Sequence, residues 1–289
     1  MIRHLFQHRA LSLIGLVLLL TGCKPPESES GPPAVTSIVG AVLLDGTGGP
    51  PVSNCVVTVE SGRIRAAGSR TNLLVPPEAD KIDGAGKFVV PALIDVARRA
   101  AAQGATVILR AGDPEAAVDQ ARRNHTPVLA SISSLRDART MLDRGATGFL
   151  HMIRDTDAID PAFIARLRDL QIVFVPMLAQ ERNPAELAVA KRNTKRLADG
   201  GVPIAVGSEG DMSREMDMLV EAGLTPAEVL VAATRNGARA LGTLAEEGTI
   251  EPGKRASLLL LSGNPAEDIR NLRKTDRAMA DGAWTTRPQ

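Results

Sequence analysis

The sequence predicts an α/β protein that joins a helix-covered parallel sheet to a small β unit made from both ends of the folded region. Residues 91–245 alternate between short apolar runs and helix-forming stretches, the pattern of repeated strand–helix units. Residues 36–90 and 246–289 hold short runs rich in Val, Ile and Leu, separated by turns. Aromatic residues make up 2% of the chain, so the core has to be packed from Ala, Leu, Val and Ile.

The β unit is predicted from short apolar runs on both sides of the alternating region. Early strands are predicted at residues 37–44, 55–60 and 63–67, and late strands at 256–261 and 277–284. We expect the late strands to pair with the early ones, which makes the β unit a joint product of the two chain ends.

The alternating region holds six predicted strands and five predicted helices. The strands are predicted at residues 88–94, 106–109, 127–131, 148–152, 172–176 and 203–206, and the helices at 114–124, 135–144, 160–170, 184–199 and 225–241. Gly145 and Gly200 follow helices and are predicted to end them. Eight such units close a barrel, so a count of six predicts a shortened one.

The N-terminal residues predict an exported lipoprotein. Arg3 and Arg9 are followed by an apolar run at 10–20, which is too short to span a bilayer and is typical of a signal peptide. The run ends in Leu20-Thr21-Gly22-Cys23, which resembles the bacterial lipobox. We therefore predict a signal peptide at 1–22 and a lipid on Cys23. The alternative is an ordinary secreted chain in which Cys23 occurs by chance.

The residues after Cys23 predict a membrane-tethered periplasmic domain. Residues 23–35 are rich in Pro, Ser and Glu and are predicted to form a tether. Lys24 is unlike the Asp that favours inner-membrane retention, so we expect an outer-membrane anchor. The formal net charge is +1 without a long basic run, which argues against nucleic acid as a partner. If Cys23 is lipidated, Cys55 has no partner for a disulfide and is predicted to be a buried apolar residue.

Three stretches together resemble the amidohydrolase superfamily, most closely its imidazolonepropionase-like and prolidase-like members. They are the segment 86–95 (GKFVVPALID), the segment 143–155 (DRGATGFLHMIRD) and the C-terminal stretch 220–265 with VEAGLTPAEVLVAAT and GTIEPGKRASLLLLSGNP. The resemblance covers nearly all of residues 36–285. It implies a truncated TIM-type (β/α) barrel plus a small β-sandwich formed by both chain ends.

The resemblance implies hydrolysis of amide, cyclic amide or dipeptide bonds by water bound to a divalent metal, zinc in particular. The family's ligands would lie at the carboxyl ends of the barrel strands. Most of the corresponding positions here carry side chains unsuited to holding a metal: Ala97, Arg99, Leu109, Ser131 and Ser213. The resemblance keeps one ligand as His151 and matches the catalytic aspartate with Glu209.

The small number of histidines also argues against the family's metal site, independently of any position-by-position match. The mature chain holds two histidines, His125 and His151, so a site with four histidine ligands cannot form. His125 precedes its predicted strand and is therefore expected at the opposite end of the sheet from the family's site. The candidate site residues are Glu209 as catalytic group, and His151 and Glu209 as metal ligands.

Nearby charged residues leave the chemistry of the candidate site open. Asp95 and Asp155 could complete a cluster with His151 and Glu209, and Asp211 could substitute for Glu209. Arg99 instead suggests a pocket suited to anions.

Three hypotheses follow from the sequence. The first is a lipid-tethered relative that has lost most or all activity and keeps the fold for binding a small molecule or for assembly. The second is a hydrolase with one metal on His151 and Glu209. The third is a decaying gene product whose shortened barrel does not fold uniquely, although its helix and turn signals remain consistent.

Overall fold

The computed structural model describes residues 35–103, 106–109 and 115–285. The predicted signal peptide, Cys23 and the predicted tether up to residue 34 lie outside the described residues. Within the described ranges, no helix combines the length and the apolar character needed to cross a membrane.

The β domain is built from strands that precede the parallel sheet in the chain and from strands that follow it. Its early strands are β1 (Val35–Val39), β2 (Val42–Leu43), β3 (Cys55–Glu60), β4 (Arg63–Ser69), β5 (Asp80–Asp83) and β6 (Phe88–Pro91). One sheet has the order β4-β3-β1-β5, in which β3 is antiparallel to both β4 and β1. The strand β5 was not predicted, because its sequence (DKID) is mostly polar and its residues are largely exposed.

The second sheet of the β domain contains the late strands. These are β11 (Leu258–Leu261), β12 (Thr275–Ala280) and β13 (Ala283–Thr285), and the sheet order is β13-β12-β11-β6-β2. Leu258 pairs with Pro91 and Leu261 with Phe88 in an antiparallel register. The predicted pairing of late with early strands is therefore confirmed.

The two sheets of the β domain share one apolar core. Ile38 and Val57 from the first sheet pack in one cluster with Leu258 and Leu260 from the second, and all four are fully buried. Burying a side chain of this size contributes about 1.5–3 kcal/mol relative to leaving it exposed. Cys55 belongs to the same cluster, and burial raises the pKa of its thiol to about 11, so it packs as an apolar residue.

A parallel sheet with the order β10-β9-β8-β7 forms the second part of the fold. Its strands are β7 (Val107–Leu109), β8 (Val128–Ser131), β9 (Gly148–Leu150) and β10 (Val173–Val175), and each neighbouring pair is parallel. Phe149 and Phe174 are fully buried on adjacent strands, with their rings in an edge-to-face arrangement 5.0 Å apart. This aromatic pair lies in the main apolar core.

Helices connect and cover the parallel strands. They are α1 (Val96–Gln103), α2 (Glu115–Arg123), α3 (Leu135–Arg144), α4 (Pro161–Asp169), α5 (Pro184–Asp199), α6 (Met212–Glu221), α7 (Pro226–Ala232) and α8 (Arg235–Ala240). Local chemistry fixes the bounds of α3: Ser134 and Asp137 form a reciprocal capping box at its start, and Gly145 ends it in the left-handed conformation.

The α/β class and the shortened barrel are confirmed, but the count of six parallel strands is wrong. The described residues contain four, because the predicted strand at 88–94 is β6 of the β domain and the one at 203–206 makes a single bridge, from Ile204 to Phe174. An apolar run alone does not specify which sheet it joins, and this is the physical reason for the error.

The predicted helix at 225–241 is also corrected, because two helices occupy that range. The break falls at Thr234, which is buried with a φ of −129° and whose hydroxyl donates to the Leu230 carbonyl at 2.7 Å. A buried threonine that bonds its own helix in this way competes with continuation of the helix. Helix α6 was not predicted.

Candidate functional site

A cavity of about 480 Å³ opens at the carboxyl ends of the parallel strands. Ser131 ends β8, His151 follows β9, and Ser208 and Glu209 follow the Ile204 bridge. The structure therefore brings the two predicted site residues, His151 and Glu209, into the lining of one cavity. The rest of the lining is mainly apolar, with one arginine: Ala97, Arg98, Ala101, Ala102, Ile108, Leu150 and Met177.

His151 is held at the mouth of the sheet in a left-handed backbone conformation. Its φ is 65°, and its amide donates to the Val175 carbonyl at 2.9 Å, which extends the β9–β10 pairing by one residue. Non-glycine residues adopt this conformation uncommonly, and it often accompanies functional sites. Burial, followed by the charge of Arg154, lowers the pKa of His151, while Glu209 and Glu181 oppose that shift. The imidazole is therefore neutral at pH 7 and able to accept a hydrogen bond.

Arg154, three residues beyond His151, is fixed by two carboxylates. Its guanidinium lies 2.6 Å from Glu181 Oε2 and 3.0 Å from Glu186 Oε2. Glu181 is only 12% exposed, and its pKa is lowered by a hydrogen bond from Asn183 and by Arg154, against the effect of burial, which is the largest single cause and acts in the opposite direction. The positive charge of Arg154 is therefore paired with two glutamates beside the histidine and is not free to bind an anionic ligand.

The predicted cluster of Asp95 and Asp155 with His151 and Glu209 does not form. Asp95 accepts hydrogen bonds from the Ser208 amide at 2.9 Å and the Ser208 hydroxyl at 2.6 Å. Asp155 accepts from the Leu135 amide at 3.0 Å, at the start of α3. Both carboxylates are engaged in holding loops together, and neither lines the cavity.

Asp211 and Arg99 are corrected as well. Asp211 is the N-cap of α6, and its side chain accepts from the Ser213 amide at 2.9 Å. Arg99 forms a half-buried ion pair with Glu247 at 2.7 Å and does not line the cavity. Because α1 begins at Val96, Ala97 and Arg99 are two positions apart on a helix and face different directions. The proposed anion pocket at Arg99 is therefore absent from this end of the sheet.

Sequence reasoning missed one buried carboxylate next to the cavity. Glu215 on α6 is fully buried and accepts from the backbone amides of Leu178 at 2.9 Å and Ala179 at 2.7 Å. Burial raises its pKa to about 7, although the hydrogen bonds act in the opposite direction. Glu215 thus fixes the segment after β10 that carries Met177 into the cavity. The available signal was a glutamate on the apolar side of a short amphipathic stretch.

The donor set at the cavity does not fit the metal that the resemblance implies. Ala97 and Leu109 have no donor atom, and Ser131 offers only a hydroxyl, which leaves His151 and Glu209. A zinc site normally has three or more protein ligands from His, Cys, Asp or Glu. Across residues 35–103, 106–109 and 115–285, no three such side chains are grouped in a way that could hold an ion.

Comparisons with known proteins support the resemblance. The sequence profile of the amidohydrolase family matches residues 92–285. The chain is 38% identical over 79 residues to imidazolonepropionase of Geobacillus kaustophilus (strain HTA426), covering 24% of this chain and 19% of that protein. It is 28% identical over 207 residues to imidazolonepropionase of Geobacillus thermodenitrificans (strain NG80-2), covering 65% of this chain and 47% of that protein.

A solved structure shares the fold. The putative prolidase from Bifidobacterium longum superimposes with a TM-score of 0.69 at 21% sequence identity, covering 88% of this chain and 95% of that one. By contrast, the matched sequence spans less than half the length of the two imidazolonepropionases. The comparisons therefore show the family and the fold.

Proposed function

Because the chain belongs to the amidohydrolase family, we propose that it keeps the family's cavity as a binding site for a small molecule and has lost metal-dependent hydrolysis. One observation carries the proposal: the cavity that contains His151 and Glu209 has no third residue able to serve as a strong metal ligand. An ion held by two donors exchanges readily, so it cannot keep a water molecule activated in a fixed position.

The lining of the cavity defines the class of ligand. One wall is apolar, with Ala101, Ile108 and Leu150, whereas neutral His151 and the hydroxyls of Ser131 and Ser208 offer hydrogen bonds. Such a cavity fits a small amphiphilic molecule that carries an amide or a similar polar group, like the amide or cyclic amide substrates of the family. The ligand would bind without being cleaved.

Metal analysis of the detergent-solubilised protein tests the loss of hydrolysis. We expect well under one equivalent of zinc, manganese or nickel per chain after purification, and no gain in thermal stability when these ions are added. Stoichiometric metal that remains through dialysis would contradict the proposal. Hydrolysis of amides, cyclic amides and dipeptides, assayed with and without metal, completes the test.

A second candidate function is a hydrolase with one metal, and the shared cavity of His151 and Glu209 favours it. It requires metal-dependent turnover that is abolished by both His151→Ala and Glu209→Gln. His125→Ala is the matched control, because His125 is exposed in the loop before β8, away from the cavity. Turnover that survives His151→Ala would exclude this alternative.

The envelope location is a separate part of the proposal. It rests on the apolar run at 10–20 and on Leu20-Thr21-Gly22-Cys23. Acyl chains contribute about 0.8 kcal/mol per buried methylene, so two or three chains anchor a protein stably. Cells fed a labelled fatty acid should incorporate the label into the wild-type protein and not into Cys23→Ala. Recovery of the wild-type protein in the soluble fraction would contradict the anchor.

A further inference from the structure

A second cavity, of about 420 Å³, lies at the opposite end of the parallel strands from His151. It is lined by Gln171, which precedes β10, by Gly201, Val202 and Pro203, which lead into the Ile204 bridge, and by residues of α7 and α8. None of these residues belongs to the lining of the cavity at His151. The two cavities are therefore separate sites.

Two arginines from one face of α8 line this second cavity. Arg235 and Arg239 are four residues apart, so their side chains emerge one above the other. Arg235 Nη1 donates to the Thr47 carbonyl at 3.0 Å, and Arg239 Nη1 donates to Gln171 Oε1 at 2.7 Å. Both partners are neutral, and each guanidinium has five donors, so most donors stay available.

Two carboxylates lie near the arginines, but among the described residues neither contacts them. Hydrogen bonds from Thr249 and Lys254, and then the charges of Lys254 and Arg235, lower the pKa of the Glu251 carboxyl, and Glu251 is ion-paired with Lys254 at 2.9 Å. Throughout the described ranges, no carboxylate forms an ion pair with Arg235 or Arg239. Glu228 lines the cavity, but its Oε2 accepts from the Thr225 amide at 2.7 Å and the Thr225 hydroxyl at 2.9 Å. Glu228 belongs to the capping box of α7 and keeps its charge, so the formal charges of the lining, two positive and one negative, sum to +1.

Other arginines of the chain show how unusual this pair is. Arg99 and Arg154 are half-buried like Arg235 and Arg239, and each has a glutamate within 2.7 Å. At the second cavity burial, and then the charge of Arg235, lowers the pKa of the Arg239 guanidinium. Two like charges brought together in a partly buried cleft favour a negatively charged occupant.

The remaining walls of the cavity are apolar. Val202, Leu224, Ala227 and Val231 face it, and α8 is fixed beside it because Asn236 Nδ2 donates to the Ile204 carbonyl at 2.8 Å. A bound anion would therefore meet charge on one side and hydrocarbon on the other. The arginine side chains would be oriented before binding by Thr47 and Gln171.

We propose that this cavity binds a small organic anion, with a carboxylate or phosphate group between Arg235 and Arg239 and an apolar body against Leu224 and Val231. Guanidinium groups bind both kinds of oxyanion through paired hydrogen bonds, so the two head groups share one chemistry here. This anion site is independent of whether the His151 cavity hydrolyses its ligand or only binds it.

Calorimetric titration of the detergent-solubilised full-length protein tests the site. The probes are butanoate, butyl phosphate, inorganic phosphate and butanol, with matched detergent in both solutions. We expect saturable binding of butanoate or butyl phosphate, weaker binding of inorganic phosphate and none of butanol. The stronger of the first two probes identifies the head group. Equal binding of butanol, or no saturable binding of any anion, would overturn the proposal.

Variants assign the binding to the two arginines. Arg239→Gln and Arg235→Gln should each weaken the preferred anion at least tenfold, and Arg239→Lys should weaken it less, because the charge is kept while the paired hydrogen bonds are lost. The control is Arg70→Gln, which removes the same charge from an exposed loop after β4 and should bind like wild type. Equal affinity in the wild type and both Gln variants, each with a cooperative melt, would refute the assignment.

Discussion

The charged side chains at the two ends of the parallel sheet differ in their contact partners. At the carboxyl end, Arg154 is paired with Glu181 and Glu186, and Asp95 accepts hydrogen bonds from Ser208, while Arg98 and Glu209 line the cavity. At the amino end, Arg235 and Arg239 contact only neutral oxygens. The half-buried Arg154 at the carboxyl end therefore has acidic partners, whereas among the described residues no carboxylate contacts the two half-buried arginines at the amino end.

This difference teaches that family membership locates a cavity but does not assign its function. Within the described part of the chain, the lack of a third strong metal donor beside His151 and Glu209 at the carboxyl end and the arginine pair at the amino end are both properties of particular side chains on one fold. Substitutions that break or sharpen the contrast follow, from the largest expected effect to the smallest.

A large-to-small substitution in the main apolar core, which lies between the two ends of the sheet, should have the largest effect on stability. Phe174→Ala deletes a fully buried ring that packs against Phe149, and we expect a loss of about 3–5 kcal/mol in the free energy of unfolding. Chemical denaturation followed by circular dichroism measures it. The wild type should unfold in one cooperative transition. A broad wild-type transition that Phe174→Ala leaves unchanged would favour a chain that does not fold uniquely.

The buried glutamate at the carboxyl end should give the next largest effect, through pH. In the unfolded chain the Glu215 carboxyl titrates at its ordinary pKa, and in the folded protein burial raises that pKa to about 7. Between these two values the folded state holds a proton that the unfolded state has lost, so stability falls as the pH rises, by on the order of 3 kcal/mol in total.

Glu215→Gln removes this titration while keeping the side-chain size. The free energy of unfolding of the wild type minus that of the variant should therefore decline from acid to neutral pH and stay level above it. Denaturation at a series of pH values gives the difference directly. A difference that does not change with pH would show that Glu215 does not titrate in this range.

We expect the contact between Asp95 and Ser208 to stabilise the fold and to take no part in a reaction at the cavity. Asp95→Ala removes three hydrogen bonds, to the Ser208 amide and hydroxyl and to the Arg98 amide, and we expect a loss of about 2 kcal/mol in stability. Asp119→Ala, on the exposed side of α2, is the control and should change stability by less than about 0.5 kcal/mol. Thermal unfolding compares the two variants.

Substituting one arginine at each end of the sheet should give the smallest changes in the free energy of unfolding, and the two changes should have opposite signs. Arg239→Gln relieves a like-charge pair four residues apart and should raise the free energy of unfolding by about 0.2–0.5 kcal/mol. Arg99→Gln should lower it by about 1 kcal/mol, because half-buried Glu247 loses its ion-pair partner. Equal destabilisation by both variants would remove the contrast between the ends.

Local signals explain the parts of the fold that the sequence predicted well. Ser134 and Gly145 bracket α3 because capping needs only neighbouring residues, and the bounds of α3 and α5 were predicted to the residue. The same kind of signal was present for α6, whose N-cap is Asp211. Asp211 therefore caps a helix and is not the site residue that its position near Glu209 suggests.

The site was harder to predict because its contacts are distant in the chain. The resemblance places Arg99 at one of the family's ligand positions, but the chain is already helical there, and Arg99 pairs with Glu247. Glu215 acquires its role from amides at 178–179, and no local pattern encodes a contact over that separation. Arg235 and Arg239 lie in the predicted helix, and only the three-dimensional fold shows that, among the residues that the structure describes, no acidic side chain contacts them.

The pairing of β6 with β11 has a consequence for the order of folding. β6 precedes every strand of the parallel sheet in the chain, and β11 follows them all, so the β domain gains its middle pair only when a late segment returns to an early one. Closing so long a loop costs entropy that local contacts do not offset, so the pairing of β6 with β11 forms slowly. In a chain synthesised from its amino terminus, the edge of β6 that pairs with β11 would stay unpaired until Leu258–Leu261 becomes available.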